Sequence, residues 1–221
     1  MLTLYHCISA RSLRVLWMLE ELGLPYDLRM LAFPPRVHDN SFLELNPRGT
    51  VPLFIDGDTR MTESAAICEY LALRHSPCVL NVGADEPDFG SYLNYLHMGE
   101  ATLTFPQTLV LRYSRFESAG RLQPQVADDY GKWFLSRLRT LESHLAAHEF
   151  LCAERFTAAD VSVGYALMLA ELLGLHERLT PAVLAYGQRL KTRPAYERAW
   201  QAQTTAANEQ GVSPRSATES A

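Results

Sequence analysis

The sequence is poor in cysteine, and the few cysteines that it has are scattered. Its 221 residues include four, with no CxxC pair and no spacing typical of metal ligands: Cys7, Cys68, Cys78 and Cys152. This argues against a disulfide framework, and free thiols suit a reducing compartment. We expect a cytoplasmic protein that holds no metal, because its histidines also form no paired cluster with a third ligand.

Positive charge and long apolar runs are scarce as well. The 20 Lys and Arg against 25 Asp and Glu give a formal net charge of -5, whereas a general nucleic-acid-binding protein needs a basic face. The longest apolar stretch, residues 161–175, is too short and too polar at its ends to span a bilayer. Residues 2–5 predict a strand rather than a signal peptide. We expect no nucleic acid and no membrane as partners, although a local basic pocket could still hold a small anion.

Material for a core is present in ordinary amount. Hydrophobic residues make up 48% and charged residues 20% of the chain, which is the composition of a globular protein. The length fits one large domain or two compact ones.

The N-terminal third alternates between strand and helix patterns. Gly23 stops the first helix, and Asp56-Gly57-Asp58 has the composition of a hairpin turn. The order β-α-β-α-β-β-α predicts an α/β domain with a mixed four-stranded sheet and helices on both faces. The predicted elements are strand 2–6, helix 12–22, strand 25–31, a short helix ending at 45, strands 51–55 and 59–61, and helix 62–75.

Beyond a linker at 76–87, rich in proline and glycine, only helical periodicity persists. Thr157 precedes Asp160 by three residues, a variant of the capping box that begins a helix. We therefore predict an α/β domain at 1–78, an all-helical bundle domain at 88–208, and a disordered tail at 209–221, where residues are small and polar.

The dipeptide Val51-Pro52 opens the strand that leads into the hairpin. A proline there removes one ladder donor and can adopt the cis peptide, which would turn the backbone N–H and C=O of Val51 outward to pair with an extended peptide. Taken alone, a plain edge-strand proline is the commoner interpretation.

Thr62-Glu63-Ser64 lies where the last helix of this domain begins. Free N–H groups and the positive end of the helix dipole favour a carboxylate. Ser64 can add a hydroxyl donor, and Glu63 can accept from an ammonium group, so the segment matches the head of an α-amino acid. Taken alone, capping of the helix would be the favoured role.

These segments resemble the glutathione S-transferase family, in particular its bacterial cytosolic members. The resemblance implies a thioredoxin-like N-terminal domain, an all-helical C-terminal domain, glutathione as co-substrate, and a homodimer. It is carried, in the family's order, by RVLWMLEELGLPY at 14–26, NPRGTVPL at 46–53, MTESAAI at 61–67, FTAAD at 156–160 and RPAY at 193–196.

The resemblance assigns the parts of glutathione to residues. Val51, across a cis Pro52, would hold the cysteinyl backbone, while Glu63 and Ser64 would hold the γ-glutamyl head. Thr50 stands where many relatives have lysine, which weakens one contact to the ligand.

Two further residues are candidates by loop position only. Arg36 or His38 could approach the glycyl carboxylate, and the alternative is that either is a solvated surface charge.

The catalytic position departs from the family's pattern. These enzymes stabilise the thiolate with a hydroxyl or N–H donor after the first strand, and the loop 6–12 reads HCISARS. Many bacterial relatives have serine where this chain has Ala10, and another branch has cysteine where it has Arg11. Ser9 or Ser12 must then supply any hydroxyl, with Arg11 adding positive charge. Ser12 could instead only cap the first helix, and Ser9 could be an ordinary loop residue.

Three functions remain open at this point. The leading one is a detoxifying transferase that activates the glutathione thiol for attack on a small apolar electrophile. The second is a glutathione-dependent disulfide or peroxide reductase, which the missing serine at Ala10 keeps open. Cys7 could form a mixed disulfide with glutathione, although a buried inert thiol is the favoured interpretation. The third is a non-catalytic binding protein, which would not require Val51-Pro52 and Glu63-Ser64.

Overall fold

The computed structural model of the chain describes residues 1–75 and 79–216, which divide into two compact units. The first unit contains residues 1–75 and 193–216 of this described part, and the second contains residues 79–192. The predicted limit at residue 78 and the end of the predicted tail, 217–221, lie outside the described residues.

The first unit is built on a mixed four-stranded sheet, as the sequence predicts. Its strands lie in the order β2-β1-β3-β4, with β1 and β2 parallel and the other two pairs antiparallel. The strands are β1 Leu2–His6, β2 Tyr26–Met30, β3 Leu53–Asp56 and β4 Thr59–Met61. The helices of this unit are α1 Leu13–Leu22, α2 Pro35–His38, α3 Asn40–Leu45 and α4 Ser64–Arg74, together with the C-terminal helix Pro194–Glu209.

Helix α1 is buried on every side because several elements cover it. All residues from Leu13 to Leu19 are buried, and the helix contacts both α4 and the C-terminal helix. Trp17 packs edge-on against Tyr196, with ring centroids 4.9 Å apart, and Arg193 forms two hydrogen bonds to the carboxylate of Glu21, at 2.6 and 2.8 Å. An apolar surface on most sides of α1 therefore reflects cover from a helix that is distant in the sequence.

The C-terminal segment differs from the predicted domain limits. The predicted helical domain, 88–208, included the periodic segment 195–205, but the helix Pro194–Glu209 groups with the N-terminal unit. Disorder was predicted from 209 onward, yet the amide side chain of Gln210 accepts from Met30 N at 2.8 Å and donates to Leu28 O at 2.8 Å. Local polarity could not reveal this, because the partners of Gln210 lie on β2.

The second unit is all-helical, as predicted. It contains α5 Phe89–Met98, α6 Phe105–Leu111, α7 Pro124–Leu138, α8 Glu142–Ala147, α9 Ala158–Leu172 and α10 Pro181–Lys191, so the C-terminal helix is α11. The predicted long helix at 88–116 is interrupted by two π-helical stretches, Gly99–Thr104 and Arg112–Phe116.

The predicted capping box begins α9. The side chain of Asp160 accepts from Thr157 N at 2.8 Å and from the hydroxyl of Tyr186 at 2.8 Å. Burial raises the pKa of Asp160, and these hydrogen bonds oppose the rise. The carboxyl therefore holds together the start of α9 and its neighbour α10.

Within residues 1–75 and 79–216, no helix is long and apolar enough to cross a membrane. The same residues contain no group of three His, Cys, Asp or Glu side chains arranged as a metal site.

Candidate functional site

Strand register brings the predicted binding segments to one end of the sheet. In the antiparallel pair β3–β4, Phe54 faces Met61, so the segment before β3 and the start of α4, which follows β4, lie at the same end of the sheet. In the pair β1–β3, Tyr5 faces Leu53, so the segment after β1 lies at this end as well. Val51 packs against a buried cluster that contains Cys7, the residue before residues 8–12, which we call the 8–12 loop.

The segment 46–52, which we call the 46–52 loop, leads into β3. Thr50 is exposed, Val51 is half-buried and Pro52 is buried, and the peptide bond between Val51 and Pro52 is cis. Because β3 begins at Leu53, the backbone of Val51 precedes the strand ladder and lies at its edge.

Asn46 shapes this loop, a role that the sequence analysis did not assign to it. It is buried, and its side chain donates to Thr50 O at 2.8 Å and accepts from Arg48 N at 3.2 Å. Its backbone carbonyl accepts from Gly49 N at 2.8 Å. The Asn-Pro pair at 46–47 is a turn signal that could have indicated this role.

Gly49 explains how the loop passes close to Arg36. Gly49 has φ +60, and a Cβ at this position would lie 2.6 Å from the Cβ of Arg36. A side chain is therefore excluded at residue 49, both by the left-handed backbone and by contact. The two candidates for the glycyl carboxylate, Arg36 and His38, are both exposed on α2. The Cβ of Arg36 lies beside Gly49 of this loop.

Glu63 and Ser64 form the start of α4. Glu63 is the N-cap residue, with extended backbone, and its exposed side chain makes no capping hydrogen bond within the described part of the chain. Ser64 is buried, and its Oγ accepts from Nη1 of Arg14 at 3.1 Å. The hydroxyl proton of Ser64 is thus left for another acceptor, while Glu63 keeps its carboxylate in solvent.

Arg14 adds a charge that the sequence analysis did not identify as part of the site. The whole residue is buried, on α1, so its guanidinium places positive charge beside the N-terminus of α4. Positive charge and a helix N-terminus act in the same direction, since both attract an anion.

In the 8–12 loop, Ser9 turns the chain sharply and Ser12 faces the interior. Ser9 has φ +56 and is 6% exposed, while Ser12 is 0% exposed. The Oγ of Ser12 lies 2.7 Å from Nδ1 of His6, and it makes no capping bond to α1 among the described residues. Ser12 thus occupies the predicted N-cap position, while its side chain bonds to His6; its proposed role as donor to the thiolate stays a prediction. Arg11 is half-buried in the turn before α1.

The ionisable groups at the end of β1 are held neutral. Burial lowers the pKa of His6 to about 4, with the hydrogen bond that His6 donates to Gln203 opposing the shift. Burial also raises the pKa of the Cys7 thiol to about 12. A thiol with so high a pKa is a poor nucleophile at neutral pH, so the interpretation of Cys7 as a buried inert thiol is the better supported one.

The residues in this arrangement correspond to a known family. Residues 8–74 match the family model "Glutathione S-transferase, N-terminal domain". Glutathione S-transferase 4 of Zea mays is 30% identical over 194 residues, which span 85% of this chain and 86% of that protein. Glutathione S-transferase 3 of Schizosaccharomyces pombe is 26% identical over 208 residues, spanning 88% and 85%.

Solved structures agree in fold. The glutathione transferase URE2P5 from Phanerochaete chrysosporium has a TM-score of 0.82 at 25% identity, covering 95% of this chain and 97% of its own. A sphingomonad glutathione S-transferase complexed with glutathione has a TM-score of 0.79 at 23% identity, covering 90% and 98%.

A thioredoxin-like unit with a helical second unit thus defines the class of fold. The chain belongs to the glutathione S-transferase family. The predictions of family, fold class and enzyme type are confirmed.

Proposed function

We propose that the chain binds glutathione at the end of the sheet where Val51 and the start of α4 lie, and activates its thiol for attack on small apolar electrophiles. The observation that carries this proposal is Glu63, an exposed carboxylate at a helix start that it does not cap, at the same end of the sheet as the backbone of Val51. The names of the relatives support the same ligand.

In this proposal each part of the tripeptide meets a complementary group. The backbone N–H and C=O of Val51 pair with the cysteinyl residue, as an added strand would. The α-carboxylate of the γ-glutamyl head meets the N–H groups of α4, the hydroxyl of Ser64 and the charge of Arg14, while its ammonium group meets Glu63. Arg36 suits the glycyl carboxylate because it lies against Gly49.

Thiol activation falls to the 8–12 loop. The hydroxyl proton of Ser12 points to His6, so we assign the stabilising donor to Ser9 or to a backbone N–H of this loop, with the charge of Arg11 nearby. A hydrogen bond to the thiolate favours the charged form and lowers the thiol pKa. Because the chain belongs to this family, we extend the proposal to a cytoplasmic, detoxifying homodimer. Sedimentation velocity tests the dimer.

The test is Glu63→Gln, which keeps the size of the side chain and removes its charge. We expect glutathione affinity by calorimetry to fall about tenfold, which corresponds to about 1.4 kcal/mol for a lost charge-assisted contact. Glu177→Gln, at an exposed carboxylate of the second unit, is the matched control and should bind as the unaltered protein does.

Failure of the unaltered protein to bind glutathione would overturn the proposal. The reaction is tested by comparing conjugation of a chlorodinitrobenzene with turnover of a glutathione-capped disulfide. Faster turnover of the disulfide would replace the transferase by the reductase, for which the buried thiol of Cys7 offers little support.

A further inference from the structure

Gln203, on α11, joins the C-terminal helix to the 8–12 loop. Gln203 is fully buried, with 0% of the residue exposed. Its Oε1 lies 3.0 Å from the backbone N of Ser9 and 3.0 Å from Nε2 of His6. One side-chain oxygen therefore accepts two hydrogen bonds, one from the end of β1 and one from the loop that follows it.

The donors and acceptors in this network follow from Ser9. A backbone N–H can only donate, so the atom of Gln203 that faces Ser9 is the amide oxygen and not the nitrogen. The same oxygen can only accept, so Nε2 of His6 carries the proton. In the neutral imidazole Nδ1 must then accept, and its partner at 2.7 Å, the hydroxyl of Ser12, is the donor.

The bond to Gln203 supports a backbone conformation that serine rarely adopts. Ser9 has φ +56, and an L-residue other than glycine, asparagine or aspartate is unfavourable in this region. Such residues persist where the surroundings hold them, and they cluster at functional sites.

Packing fixes the same loop against α11 a second time. Ile8, Met30 and Ala207 form a buried apolar cluster, so the residue before Ser9 contacts α11 one turn beyond Gln203. Position and direction of the loop are therefore both set by α11.

We propose that Gln203 is a positioning residue for thiol activation, which holds Ser9 so that the donors of the 8–12 loop meet the glutathione thiol. This inference rests on the proposed function, and it adds a residue of the C-terminal helix to the machinery. Gln203 does not touch the ligand in this scheme, since its oxygen is occupied by His6 and Ser9.

The decisive variant is Gln203→Met, which keeps the length of the side chain and removes the acceptor. Thiolate formation in bound glutathione is followed by ultraviolet absorbance against pH. We expect the thiol pKa to rise by about one unit, with kcat/KM near neutral pH falling about tenfold in proportion to the thiolate fraction. The KM for glutathione should stay within about twofold, because the contacts that hold the tripeptide lie elsewhere.

Gln201→Met is the matched control, since Gln201 is exposed on the same helix and should behave as the unaltered protein does. Affinity for S-methylglutathione, which has no thiol, measures whether the binding site is intact. Where Gln203→Met does not fold, Gln203→Asn withdraws the same oxygen by one methylene and the same results are expected.

The outcomes separate the two proposals. An unaltered thiol pKa in the variant, with glutathione bound and activated by the parent protein, overturns the role of Gln203 alone. Equal loss of S-methylglutathione binding and of thiol activation also overturns it, because it shows a general structural role. Failure of the parent protein to bind glutathione overturns the proposed function instead.

Discussion

The 46–52 loop and the 8–12 loop lie side by side at one end of the sheet, yet they are held in different ways. In the 46–52 loop the bonds are local: Asn46 holds Thr50, four residues away. In the 8–12 loop the bond that fixes Ser9 comes from Gln203, 194 residues away in the sequence. A short sequence motif can therefore specify the conformation of the 46–52 loop, whereas the conformation of the 8–12 loop depends on contacts that form only in the folded unit.

The largest expected effect is a loss of stability in acid, through His6, which is hydrogen-bonded to Ser12 of the 8–12 loop. Burial lowers the pKa of His6 from its ordinary value of 6.5 to about 4 in the folded protein, so the unfolded chain takes up the proton first. Its contribution to stability is complete above pH 6.5 and is lost as the pH falls toward 4, by about 3 kcal/mol in all. Urea unfolding at several pH values measures this loss.

His6→Asn is the comparison for that measurement. The variant lacks the titrating group, so its stability should fall less with acid, and carboxylates common to both proteins cancel in the difference. Identical pH dependence in the two proteins would show that His6 is not held neutral by the fold.

A smaller effect is expected from the local side of the comparison. Asn46→Ala removes the two side-chain bonds of Asn46 and leaves partly buried backbone groups unsatisfied, which should lower the free energy of unfolding by about 2 kcal/mol. Glutathione affinity should fall with it, because Val51 loses its support, while the thiol pKa of whatever glutathione still binds should not change.

Asn94→Ala, at an exposed residue of α5, is the control for Asn46→Ala. Denaturant unfolding and calorimetry provide the two readouts. A rise in the thiol pKa of Asn46→Ala would contradict the separation of the two loops.

The smallest effect is expected when the two serines of the 8–12 loop, Ser9 and Ser12, are changed in turn. Ser12→Ala removes the donor to His6 and should lower stability by about 1 kcal/mol, with the thiol pKa of bound glutathione unchanged. Ser9→Ala should raise that thiol pKa if the hydroxyl of Ser9 is the donor, and leave it unchanged if a backbone N–H serves. Ultraviolet titration of the two variants decides, and a raised thiol pKa in Ser12→Ala would show that its hydroxyl reorients toward the ligand.

The sheet and the binding segments could be predicted because their signals are local. Alternation of strand and helix predicts the mixed sheet, and the hairpin at Asp56-Gly57-Asp58 brings the segment before β3 and the start of α4 to the same end of the sheet. Glu63 was a candidate from its position alone, and its exposed side chain agrees with that role.

The remaining parts could not be predicted because their partners are distant in the sequence. Ser12 carries a hydroxyl in the expected place, but its direction depends on His6 and Gln203. Arg14 and Ser64 are on different helices, and α11 carries a periodicity that fits either unit.

The sequence by itself determined what is near in the chain: the order of elements, the turn at 56–58, the proline before β3 and the place of Glu63 at the start of α4. Only the tertiary structure decided that the hydroxyl of Ser12 bonds to His6, and that a glutamine of the last helix holds Ser9. The physical reason is that a hydrogen bond needs a donor and an acceptor within reach, and residues 9 and 203 come within reach only when α11 packs on the first unit.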